Sequence, residues 1–169
     1  MLKELNETLL RLPELLKSTE GWQSLVINRR KPATYRAFRN LENFRVCLHR
    51  FETCDEQESF FHPHPWEGAF AILKGSYLMN IGYSETRESA PREVCKTLMS
   101  AGSKYSITNP LTWHSVTPLE ECYTVMVNKA PWAPEIAHKE VRTTVGKDLQ
   151  KMSDLELQGM FLTFNNLLK

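Results

Sequence analysis

A chain of 169 residues is about one domain's worth, because single cores cluster near ~100–150 residues, and a single domain over residues 1–169 is expected. With 41% hydrophobic and 24% charged residues, the composition excludes a disordered, collagen-like or coiled-coil chain. Lys and Arg number 21 against 20 Asp and Glu, a formal charge of +1, so no whole-molecule field exists to hold a nucleic acid or an anionic membrane surface. The longest apolar runs, such as Ala69 to Leu73, fall far short of the ~20 residues a membrane helix needs. Lys3, Glu4 and Glu7 interrupt any secretory h-region, which points to the cytosol. Cys47, Cys54, Cys95 and Cys122 are widely spaced without a CxxC and read as reduced thiols.

In chain order, Leu2, Leu5, Leu9, Leu12 and Leu16 recur at spacings of three and four, which predicts a helix over about 2–18. Pro13 should break or kink it midway, and its leucine face with Trp22 beyond it offers apolar surface for a homodimer. From Trp22 to Val127 the chain changes to short apolar segments punctuated by Pro, Gly, Asn and acidic clusters, the pattern of strands. Strands are predicted at Phe44 to Phe51, Ala69 to Leu73, Tyr77 to Tyr83, Val94 to Met99, Tyr105 to Thr108, His114 to Thr117 and Tyr123 to Val127. Seven or more short strands without intervening helices predict an all-β sandwich or barrel. Beyond Pro131 and Pro134, Ser153 and Glu156 form a capping box ahead of Leu157, Met160, Phe161, Phe164 and Leu168, which predicts a second helix over about 154–168 packed outside a sheet.

Chemistry concentrates in the histidines: His49, His62, His64, His114 and His138. His62 and His64 lie two apart in Phe60-Phe61-His62-Pro63-His64-Pro65-Trp66. On an extended backbone both imidazoles then face the same side and can share one ion. A His-x-His pair by itself fits ordinary surface or core histidines about as well. His114 enters a later strand after a Pro-containing turn and can supply a third imidazole, whereas His49 and His138 are not expected to complete a first shell.

The stretch from His62 through Glu67 to Gly75, a His-x-His followed by an acidic residue and then a turn glycine, resembles the first conserved box of the cupin superfamily. Asn109 to Val116, centred on Trp113-His114, resembles the second box. The resemblance covers about residues 40–130 and implies a single cupin jelly-roll barrel with a divalent metal in its mouth. It implies His62, His64 and His114 as metal ligands, with Glu67 as a further candidate one position ahead of the family's metal-binding glutamate. Three histidines suit iron first, and also zinc, nickel, manganese or copper. Within the cupins, three-histidine iron sites are similar to those of thiol dioxygenases, which bind substrate and dioxygen at adjacent positions. The function implied is a small-molecule metalloenzyme of the non-haem dioxygenase type. The alternatives are a metal-dependent isomerase or lyase and a non-catalytic ligand- or metal-binding cupin. Arg45 and Tyr77 are candidates to hold or orient a substrate, each with a purely structural alternative.

Overall fold

Apolar residues three and four apart build the first helix, and helical direction carries them onto one sheet. In the computed structural model, which describes residues 1–28, 30–132 and 150–169, α1 (Leu2–Leu15) buries Leu5, Thr8 and Leu12. Pro13 does not break the helix midway; the helix runs through it to Leu15. The reason is position: near a C-terminus proline removes a single donor, and the next turn closes with Leu16 N–H donating to Leu12 O at 3.0 Å.

Ten strands follow among the described residues: β1 (Gln23–Ile27), β2 (Thr34–Asn40), β3 (Arg45–Phe51), β4 (His62–Pro63), β5 (Trp66–Lys74), β6 (Ser76–Tyr83), β7 (Arg92–Ser100), β8 (Lys104–Ile107), β9 (Thr112–Pro118) and β10 (Cys122–Pro131), and then α2 (Asp154–Leu167). They form two antiparallel sheets, β1-β2-β3-β10-β5-β8 and β4-β9-β6-β7, stacked as a sandwich. β1 and β2 lie ahead of residue 40, where the barrel was expected to begin. Their alternation was hard to read because the inward face of β2 carries Thr34 and Arg36 rather than aliphatic residues.

Both helices cover the outer face of the six-stranded sheet. Leu5, Leu12 and Leu16 of the first and Leu157, Met160, Phe161 and Phe164 of the second share one buried cluster with Ala37, Val46, Leu48, Ala69, Val125 and Val127. Trp22 packs edge-on against Phe161 at 5.1 Å and Tyr123 against Phe164 at 5.6 Å. Of the leucine surface expected to serve a homodimer, Leu5, Leu12, Leu16 and Trp22 are covered within the chain, while Leu2 stays exposed. Ser153 starts α2 with the expected capping box, its Oγ accepting from Glu156 N–H at 3.3 Å and its own N–H donating to Glu156 Oε2 at 2.7 Å. None of the helices described is long and apolar enough to cross a membrane.

The other sheet faces meet in the interior. Cys47, Phe70, Ile107 and Met126 fill one part and Ile72, Tyr77, Met79, Val116 and Cys122 another. Gly75 makes the passage from β5 in one sheet to β6 in the other at φ +81°, where a Cβ would stand 2.6 Å from Glu121 O; only glycine combines that torsion with that approach. All four cysteines are free thiols.

Candidate metal centre

Two prolines make β4 a two-residue strand at the edge of the four-stranded sheet, since Pro63 and Pro65 have no N–H to offer a ladder. In that short ladder His62 is the register partner of His114, and Pro63 of Trp113. Directly opposed residues on antiparallel strands share a face, and His64 joins them with the two-residue spacing. The ring centroids stand 5.3 Å (His62 to His64), 4.7 Å (His62 to His114) and 4.6 Å (His64 to His114) apart. One ring nitrogen from each imidazole lies within 4.8 Å of the others. The assembly is tied from behind: Arg87 Nη1 donates to His64 O at 2.9 Å and Pro110 O at 3.0 Å, which clamps the His-x-His segment to the turn that leads into β9.

Protonation states follow from burial. Desolvation holds His62 down to about 4 and keeps His64 and His114 well below the ordinary imidazole range, each also disfavoured by the neighbouring rings or cations. All three are therefore neutral near pH 7 and have one lone pair apiece. His62 Nδ1–H donates to Phe60 O at 3.3 Å, which leaves Nε2 as its free donor atom. His64 Nε2 and His114 Nε2 face each other at 2.7 Å, and the Nδ1 of both is buried without a partner among the described residues.

This donor set fits a divalent ion. Three neutral imidazoles are borderline ligands for iron, zinc, nickel or copper, and a cation between them would take the place of the one proton that His64 Nε2 and His114 Nε2 can share at 2.7 Å. At ~2.1 Å from one centre, ligand nitrogens sit about 3 Å apart, so small rotations of the rings suffice. His64 and His114 lack the carbonyl or carboxylate on Nδ1 that commonly orients a ligand imidazole; packing against Phe70 at 5.3 and 5.9 Å takes that part.

The cluster opens on a cavity of about 630 Å³ between the sheets. Phe70 stacks on Tyr105 at 4.6 Å and 8°, and Tyr77 Oη–H donates to Tyr105 Oη at 3.1 Å. Burial raises both phenols above their usual range, so they are neutral donors. Farther along the same six-stranded sheet that carries Phe70 and Tyr105, Arg36 Nε donates to His49 Nε2 at 2.8 Å. His49, whose Nδ1 must then carry the proton of the neutral ring, reaches Thr124 Oγ1 at 3.3 Å.

The expected residues are thus distributed as follows. His62, His64 and His114 converge, while both nitrogens of His49 are engaged elsewhere; His138 lies outside the described residues. Glu67 Oε2 accepts from Lys129 Nζ at 2.9 Å and is absent from the convergent group. Arg45 donates to Asn40 Oδ1 at 2.9 Å and stacks over Phe38, away from the cavity lining. Tyr77 lines the cavity, and Cys47 is buried between the sheets. Arg36, Tyr105 and Arg87 went unnoticed in the sequence; the alternation Thr34, Arg36, Phe38 was the one signal that could have placed Arg36 inside.

No family model matches the chain, and neither does any curated protein. Among solved structures, the iron(II) form of HppE superposes with a TM-score of 0.51 at 14% identity, over 66% of this chain and 58% of that one. Hydroxypropylphosphonic acid epoxidase from S. wedmorenis gives 0.48 at 13% identity, over 62% and 55%. The match spans a little over half of those enzymes. At such identity the likeness concerns the fold, and the fold is cupin-like.

Proposed function

We propose that this chain is a metal-dependent enzyme of the non-haem oxygenase type, with iron(II) held by His62, His64 and His114 and a small organic substrate in the adjoining cavity. The observation that carries the reading is the convergence of three neutral imidazoles at the wall of a cavity of about 630 Å³. The iron(II) content of the superposed enzyme favours the same ion here. Held by these three imidazoles, the ion would supply one-electron chemistry toward dioxygen.

The chain's own residues do the rest. Phe70 and the Tyr105 ring form an apolar wall that excludes water beside the imidazoles, and the Tyr105 hydroxyl, accepting from Tyr77, has its own proton left to donate toward a bound molecule. Arg87 fixes the backbone that carries His64. Elemental analysis of protein purified without chelator, with the oxidation state of the metal, tests the reading. Iron(II) at one equivalent per chain is expected. Zinc as the resident ion would contradict oxygenase chemistry.

A further inference from the structure

Arg36 is a cation in an unusual place. It sits on β2 opposite His49 of β3, among the residues that line the cavity. Among the described residues its side chain has one polar partner, a neutral imidazole that accepts from Nε, and no carboxylate within ion-pair distance. A guanidinium carries five N–H donors in a planar fork. One is used here, and the outer Nη edge, with the geometry that receives two carboxylate oxygens side by side, is left unpaired. A half-buried cation with no counter-charge costs stability, and burial alone already lowers its hold on the proton. Among the described residues, the lining adds the cations Arg30 and Lys31 beside Arg36, and none of its carboxylates pairs with Arg36.

His49 has no metal to hold and no solvent to meet, being 3% exposed. Thr124 fixes its Nδ1 side and Phe51 stacks on its ring at 5.4 Å. The ring is therefore rigid, and its Nε2 lone pair locks Arg36 at Nε, the one nitrogen whose engagement leaves both Nη groups free.

We propose that Arg36 is the receptor for a carboxylate on the small molecule that occupies the cavity, and that His49 is the positioning residue that aims its guanidinium fork. This deepens the functional reading above by giving the substrate class, a small organic acid bound at one end by Arg36 and reaching the three-histidine cluster with the other. It rests on that reading only for what happens at the far end.

The test uses the full chain and a matched pair of probes, benzoate and its uncharged counterpart benzamide, followed by titration calorimetry before and after chelation. Benzoate should bind at least about tenfold more tightly than benzamide, and removal of metal should leave that preference in place. Arg36→Met should abolish the preference, and Arg36→Lys, which keeps the charge without the fork, should fall between. His49→Phe should weaken benzoate severalfold in the wild-type background and change nothing in the Arg36→Met background, whereas a merely structural role would lower both alike. Near-UV circular dichroism checks that each variant is folded, and Arg36→Lys serves if Arg36→Met is not. Equal affinity for the two probes, a preference that survives Arg36→Met, or one that disappears on chelation would overturn the proposal. Loss of metal binding with the benzoate preference intact would count against the metal reading alone.

Discussion

His62 and His114 are direct partners across the β4–β9 ladder, so the third imidazole reaches the cluster by strand register and not by a loop. A one-residue slip of that ladder would turn His114 to the opposite face. The clamp from Arg87 to His64 O and Pro110 O acts on the two segments whose relative position decides the register.

Acid should destabilise the metal-free chain across a defined window. His62 is held down to about 4, and His49, His64 and His114 lie well below 6.5, chiefly through desolvation. The unfolded chain titrates near 6.5 and so binds more protons than the folded one between those values, and stability therefore rises with pH there. Urea midpoints measured with chelator present should fall steadily from pH 6.5 toward 4, and His64→Gln should flatten that slope. A midpoint independent of pH across the window would contradict neutral, buried imidazoles.

Much of this was legible in the residues, and the exceptions share a cause. The His-x-His pair, the helical leucines and the Ser153 capping box are local patterns, and each appears where its spacing puts it. Arg36 and Tyr105 could not be read the same way. The alternation Thr34, Arg36, Phe38 groups Arg36 with one face of β2, but that this face and Tyr105 line a cavity depends on β2 pairing with β3 and β5 with β8, which are long-range choices. Pro13 misled for a related reason: its cost depends on how close the helix end lies, which is set by the packing of Leu12 and Leu16.

The Tyr77–Tyr105 hydrogen bond should be measurable as a coupling. Tyr77→Phe removes the donor at 3.1 Å and is expected to cost about 1 kcal/mol of stability. A double-mutant cycle with Tyr105→Phe should return an interaction of about 0.5–1.5 kcal/mol. Strict additivity in urea unfolding would show that the two hydroxyls do not interact.

Two glycine turns should respond differently to a methyl group. Gly75→Ala meets both the positive φ and a backbone oxygen at 2.6 Å and should cost more than about 2 kcal/mol. At Gly102, with φ +90° and nothing within 4 Å, alanine should cost only about 1–2 kcal/mol. Equal losses in equilibrium unfolding would mean that the β5–β6 passage is not as tight as the contact with Glu121 requires.

Thiol labelling should follow exposure. Cys95 is exposed on β7, Cys54 is half-buried, and Cys47 and Cys122 are buried, with burial pushing their thiols up to about 11 and about 12. Iodoacetamide at neutral pH should modify Cys95 first and leave Cys47 and Cys122 untouched until the chain unfolds, as peptide mass mapping will show. Early modification of Cys47 would mean that the interior is open to solvent.

The claim on which most depends is that three histidines hold one ion. Its most direct test is iron(II) and cobalt(II) titration of the metal-free protein beside His62→Ala, His64→Ala, His114→Ala and Glu67→Gln. One site per chain is expected in the wild type, weakened by at least about a hundredfold in each histidine variant and unchanged in Glu67→Gln, whose carboxylate is engaged with Lys129. Stoichiometric binding that survives loss of any one histidine, or no binding by the wild type, would contradict the three-histidine centre.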